Sequence, residues 1–185
     1  MSSTPLKIQF SIAAVACLVL NGCALFGGAS AVKSLTDSTA PVRAAEPLNV
    51  SLSRFKSDEK WEASADRGNV LVIDVWATWC EACREVFPQY EALQKRFADK
   101  GLKVYALSVD ADVNAVSQFV TETKLQLPVL LDPEAHVAES VFKVKLMPTS
   151  FIIDRKGVIR FTHEGLSDDL FATEEKEVEL LLAEP

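Results

Sequence analysis

Val75-Trp76-Ala77-Thr78-Trp79-Cys80-Glu81-Ala82-Cys83-Arg84 decides the fold, because it closes an apolar run and opens a helix-forming one, with two cysteines at the junction. Two residues between cysteines at a helix start put Cys80 in the exposed first turn, where unpaired backbone N–H groups and the helix dipole favour a thiolate. Cys83 then lies one turn deeper, within reach of Cys80. That arrangement suits thiol–disulfide exchange: Cys80 attacks a partner, a mixed disulfide forms, and Cys83 resolves it by closing an intramolecular bond. The same spacing also forms half of many zinc sites. A tetrahedral site needs four ligands, however, and beyond this pair the folded part offers only His136 and His163, neither at metal spacing.

Upstream of the cysteines, Val70–Trp76 is almost continuously apolar and rich in β-branched residues, which predicts a central strand covered on both faces. Asp74 interrupts it. A carboxylate there must lose water, and burial should raise its pKa; a carboxylate bonded to a strand end or to water is the competing reading. Downstream, Cys80–Lys100 is a helix with Val86, Tyr90, Leu93 and Phe97 on one side, and Pro88 inside it should introduce a kink. Leu102–Val109 is a second buried strand. Asp110 or Asp112 caps the next helix, whose apolar stripe is Val113, Val116, Phe119 and Val120, and the strand–helix–strand order calls for parallel pairing.

Further out, Leu127–Leu131 is a short strand, and Asp132-Pro133-Glu134 opens a helix over Ala135–Phe142 with proline at its first position. Ser150–Asp154 and Gly157–His163 alternate around Arg155-Lys156-Gly157 as a β-hairpin. Ser167-Asp168-Asp169 caps a last helix reaching about Ala183, on which Glu174-Glu175-Lys176-Glu177 forms a solvated face. Towards the N-terminus, Leu48–Phe55 is an opening strand, and Ser57-Asp58-Glu59 starts a short helix through Trp61 to Ala65, ended by Gly68. His136 and His163 are surface histidines in this reading. Trp76 serves the core or the surroundings of the sulfur equally well.

The 185 residues suffice for one domain and a tail. A formal charge of −7 with no basic run excludes a nucleic-acid partner held by phosphate neutralisation. Residues 1–22 form a signal peptide, in which Lys7 precedes an apolar stretch, Ile8–Leu20, that falls short of the roughly 20 residues needed to span a bilayer. Residues 23–47, rich in small residues and proline, form a flexible tether, and 48–185 form the folded domain.

The phrase Asp74–Cys83 resembles the active site of the thioredoxin superfamily, and Trp76-Ala77-Thr78-Trp79-Cys80 resembles its TlpA/ResA branch, over about Leu48–Ala183. The resemblance implies an α/β thioredoxin-like fold: a central mixed sheet flanked by helices, with a TlpA/ResA-type insertion near Asp132–Phe142. It gives Asp74 the place of a buried acid that relays a proton to or from Cys83. It makes Pro148 a cis-proline that brings the Met147 backbone beside Cys80 to pair with an extended substrate, on a platform including Trp79 and Glu81. Leu20-Asn21-Gly22-Cys23 resembles a bacterial lipobox, which implies a lipid on Cys23 and leaves Cys80 and Cys83 as the only thiols of the mature domain.

The implied activity is that of a protein-disulfide oxidoreductase, anchored by lipid in the bacterial cell envelope and facing the periplasm. It acts as a reductant of protein thiol/disulfide substrates, supplied by a membrane electron-donor protein, with the Cys80–Cys83 disulfide as its redox group and no metal or other cofactor. Two alternatives compete with it. A thiol peroxidase shares the fold but needs a threonine where Ala77 stands; a copper carrier would use both sulfurs as soft ligands for Cu(I).

Overall fold

The computed structural model describes residues 46–185; the expected signal peptide, the expected lipid site Cys23 and all but the last two residues of the expected tether lie outside the described residues. Its centre is β3 (Val70–Trp76), a seven-residue strand buried at every position. It pairs in parallel with β4 (Leu102–Ser108) on one side and antiparallel with β6 (Thr149–Ile153) on the other. With β1 (Ser51–Arg54), β2 (Lys60–Glu62), β5 (Val129–Leu131) and β7 (Ile159–Glu164), these make a mixed seven-stranded sheet of order β2-β1-β5-β4-β3-β6-β7.

Alternation along β3 sorts its side chains into two layers. Val70, Val72 and Trp76 point into one buried cluster with Val86, Tyr90, Leu93 and Phe97 of α1 (Glu81–Phe97). The same cluster takes in Val116 and Phe119 of α2 (Val113–Thr123), and Val178 and Leu181 of α4 (Leu170–Ala183). Leu71, Ile73 and Val75 face the opposite way, with Trp61, Tyr105, Phe151 and, from the insertion, Ala138 of α3 (His136–Ser140).

Three local expectations give way to tertiary demands. Lys60–Glu62 is a strand rather than a helix: Trp61 stands opposite Leu52, fully buried, and only the short 3-10 turn Ala63–Asp66 follows it before Gly68 takes φ +88°. Extended pairing buries the indole, while its N–H finds Asp66 Oδ2 at 2.7 Å. Asp132 does not cap a helix at Pro133. Its carbonyl closes a turn with Ala135 N–H at 2.8 Å, Ala135 takes φ +54°, and α3 shrinks to five residues whose Ala138 N–H reaches Asp132 Oδ2. At α4, Asp169 is the capping residue but makes no capping bond, since its Oδ1 accepts from Ser167 Oγ instead. Asp112, not Asp110, caps α2, accepting from Asn114 N–H at 2.9 Å.

Candidate active site

Cys80 is the N-cap of α1, with extended φ −87° and ψ 101°, and it is joined to Cys83 in the first turn by a disulfide. The Cys83 N–H donates to Cys80 Sγ at 3.2 Å, so an otherwise unpaired helix-end donor is spent on the leading sulfur. Cys80 retains 7% exposure and Cys83 none, which leaves Cys80 as the sulfur a partner can approach.

The turn between β3 and α1 is pinned from below. Asp110 accepts from Thr78 N–H at 2.9 Å, Thr78 Oγ1 at 2.7 Å and Ser108 Oγ at 2.9 Å. Sequence reasoning sees in Asp110 only a possible helix cap; its place directly after a buried strand, level with the cysteine turn in a parallel pair, is the available signal. Trp79, the residue before Cys80, is 72% exposed. Trp76 is fully buried between Phe87 and Phe119, with ring centroids 5.2 and 4.6 Å away, and belongs to the core. Glu81 is exposed, 3.7 Å from Arg84, whose guanidinium lies 4.5 Å from the Phe119 ring centroid.

The Met147–Pro148 bond is cis. Pro148 is buried, its carbonyl accepts from Gly165 N–H at 2.8 Å, and Thr149 Oγ1 donates to the Leu146 carbonyl at 2.7 Å. Met147 packs against both buried clusters, one of which contains Cys80. Beside it opens a hollow of about 140 Å³ lined by Val75, Val109, Ala138, Val144, Leu146 and Met147. Leu146 remains largely exposed at its edge.

Asp74 is fully buried on the α1 side of the sheet, and neither of its carboxylate oxygens has a hydrogen-bond partner. Burial pushes its carboxyl well above the usual carboxylate range, and the charge of Glu174 pushes it further. Glu174 overturns the expectation of a solvated acidic face. It is fully buried, and its Oε1 accepts from Tyr90 OH at 3.1 Å and from Ser150 Oγ. Its own pKa is raised by burial, against the bond from Ser150 and the field of His163. The helical period could have found it, because position 174 lies four residues from Leu170 and four from Val178, both buried. His163 is half-buried, not a free surface histidine: its Nε2 lies 2.6 Å from Glu177 Oε2. His136 is exposed, as expected, beside Glu134.

A family model described as the AhpC/TSA family matches residues 44–162, well over half of the chain. The chain belongs to the AhpC/TSA family. Within the curated proteins, this family member is 37% identical over 112 residues to the thioredoxin-like protein YneN of Bacillus subtilis, covering 59% of this chain and 64% of that one. It is 31% identical over 101 residues to the thiol-disulfide oxidoreductase ResA of Bacillus cereus, covering 55% and 58%. The match thus spans less than two thirds of either relative's length. The crystal structure of a candidate thiol:disulfide interchange protein DsbE from Chlorobium tepidum superposes with a TM-score of 0.70 at 28% identity, over 75% of this chain and 97% of that one. The fold is thioredoxin-like: an α/β domain with a mixed sheet flanked by helices.

Proposed function

We propose that this family member is a thiol–disulfide oxidoreductase that exchanges the Cys80–Cys83 couple with protein thiols outside the cytoplasm and works as a reductant. The observation that carries the reading is the disulfide at the start of α1, with its outer sulfur accessible and its inner one sealed. A cysteine at that place gains thiolate character from the helix terminus, and the chain reserves the buried partner for resolution. The apolar hollow beside Met147 favours an extended polypeptide as the other reactant, bound with Trp79, Glu81 and the Met147 backbone. The names of the ResA, YneN and DsbE relatives support the same chemistry. The tether, a lipid on Cys23 and a membrane protein as electron donor complete the proposal, which places the domain on the periplasmic side of the cell envelope and gives it no cofactor but its own disulfide.

Family membership keeps a peroxide substrate in play. Against it stands Ala77, buried and without a hydroxyl, three residues before Cys80.

The deciding experiment follows reduction of a disulfide-bonded protein substrate. Cys80→Ser should abolish it, while Cys83→Ser should accumulate a mixed disulfide at Cys80; equal trapping by both variants rejects the assigned roles. Equilibration with glutathione then sets the direction, a potential below about −220 mV supporting a reductant. Hydrogen peroxide consumption faster than disulfide exchange would favour the peroxidase instead.

A further inference from the structure

Three neighbouring strands place polar side chains side by side in one row of the sheet. Asp74 of β3 lies opposite Ser150 of β6, and Ser150 lies opposite His163 of β7. The row sits on the face that carries Val72, Trp76, Ile152 and Phe161, under α1 and α4. Exposure rises along it, from none at Asp74 through 2% at Ser150 to 21% for the His163 side chain. Directly opposed residues in an antiparallel pair bring their Cβ atoms within about 5.5 Å, so the three side chains are neighbours.

From the helix layer, α4 adds a carboxylate at each step. Glu174 accepts from Ser150 and from Tyr90 of α1, and Glu177, one turn further on, meets His163 at 2.6 Å. The groups facing Glu174 are therefore Asp74 from β3, Tyr90 from α1, Ser150 from β6, His163 from β7 and Glu177 from its own helix. Stability does not explain the arrangement. Both oxygens of Asp74 and Oε2 of Glu174 are buried without a partner, and two carboxyl groups in one dry layer cannot both ionise freely.

Exchange chemistry does explain it. Cys83 lies in the same buried layer, cut off from water, yet as a thiol it must lose a proton before its sulfur can attack. Resting on the oxidoreductase reading, we infer that Glu174 and the His163–Glu177 pair are relay residues connecting Asp74 with solvent, and that Tyr90 and Ser150 hold Glu174 in line. In resolution, the Cys83 S–H proton moves to the Asp74 carboxylate, and the Cys83 sulfur attacks Cys80. The bond between Cys80 and the substrate sulfur breaks, and its electron pair leaves with the substrate as a thiolate. The proton on Asp74 passes to Glu174, then to the His163–Glu177 pair, then to water. The reverse reaction draws a proton inward by the same row. Burial raises the affinity of Asp74 and of Glu174 for a proton, the direction a proton carrier needs.

The test uses the reduced full chain and 5,5′-dithiobis(2-nitrobenzoate). The first release of chromophore reports attack by Cys80, and the second reports resolution by Cys83. Glu174→Gln, which keeps the size and the partners of the side chain, and His163→Ala should each lower the ratio of second to first rate by about tenfold at neutral pH and flatten its pH profile. Free imidazole should restore His163→Ala, which sits at the rim, but not Glu174→Gln. A wild-type ratio and pH profile in both variants, with Asp74→Asn slow, overturns the relay and leaves the oxidoreductase reading intact. Slowing without imidazole rescue and with an unshifted profile also overturns it, in favour of packing. Absence of a second release in the unmodified chain would instead remove the exchange reading itself. Glu177→Gln, at a half-buried position beside His163, gives the same ratio test should Glu174→Gln not fold, and a wild-type ratio there together with His163→Ala overturns the relay.

Discussion

Asp66 and Asp74 are aspartates withdrawn from water on opposite sides of one sheet, and the chain treats them in opposite ways. Asp66 accepts from Trp61 Nε1 and Tyr105 OH, both at 2.7 Å, and from Lys103 Nζ at 2.5 Å. Asp74 accepts from nothing. Burial pushes both carboxyls up. At Asp66 the bonds from Lys103, Trp61 and Tyr105, with the Lys103 charge, outweigh burial and hold the pKa below the ordinary value; at Asp74 the charge of Glu174 adds to it. The fold can satisfy a buried carboxylate, yet in the layer that holds Cys83 it leaves one without a protein donor, as the proposed relay requires.

The largest effect should come from breaking the satisfied member. Asp66→Ala leaves the buried Trp61 and Tyr105 donors without an acceptor, and denaturant unfolding should report a loss of about 3–4 kcal/mol. A loss below about 1 kcal/mol would erase the distinction between the two aspartates.

Asp74→Asn should act in the opposite direction on stability, with a gain of about 1–3 kcal/mol at neutral pH, while slowing resolution by roughly a hundredfold. The two sites should also oppose each other in pH dependence. The folded pKa of Asp74 is raised, so the folded state holds its proton longer and wild-type stability falls as pH climbs from about 4 toward the folded value. The advantage of Asp74→Asn is therefore absent below that range and opens above it. The folded pKa of Asp66 is lowered, so its contribution is present above about pH 4 and disappears as acid protonates the folded form. Stability curves of the two variants against wild type, measured over the same pH range, should diverge in opposite senses.

Asp110 sharpens the contrast, because it is satisfied like Asp66 yet lies at the cysteine turn. Asp110→Ala should cost about 1–2 kcal/mol and should slow the first attack by Cys80 through a loosened Thr78, with no effect specific to resolution. A selective loss of resolution would place Asp110 with Asp74 instead.

Sequence makes one of these aspartates legible and not the others. Asp74 stands out as a charge inside a seven-residue apolar strand, next to a cysteine motif specific enough to carry the fold. Cys80, Cys83, Trp79 and the cis-proline follow from the same stretch. Asp66 falls just past the expected helix ending at Ala65, and two of the three residues that bond it come from 37 and 39 positions away on β4. Glu174 is hidden by its acidic neighbours: composition suggests a wet face, while the helical period places it between Leu170 and Val178. Asp132 and Trp61 show a further limit. Turn and capping residues name where a helix could begin, but burial of one large side chain, or one residue at positive φ, decides whether it does.

The smallest expected effect asks what separates the two carboxylates, charge or hydrogen bonding. Lys103→Met removes the cation beside Asp66 and keeps the apolar stem that covers the sheet. Because the Lys103 side chain is 42% exposed, water screens the pair, and the loss at neutral pH should be only about 0.5–1 kcal/mol. The two remaining donors, Trp61 and Tyr105, both reach Oδ2, so the ionised form loses its strongest partner but keeps two of its three hydrogen bonds. Acid destabilisation should therefore begin at a higher pH than in wild type while keeping its sign, with stability still rising from about pH 3 to about pH 6. Reversal of that slope, making Lys103→Met lose stability as pH rises, would mean that a single cation and not the pair of neutral donors keeps Asp66 from behaving like Asp74. Retention of the slope would mean that what Asp74 lacks is donors, and that a tyrosine or tryptophan brought to it would remove the raised pKa on which its proposed part in resolution depends.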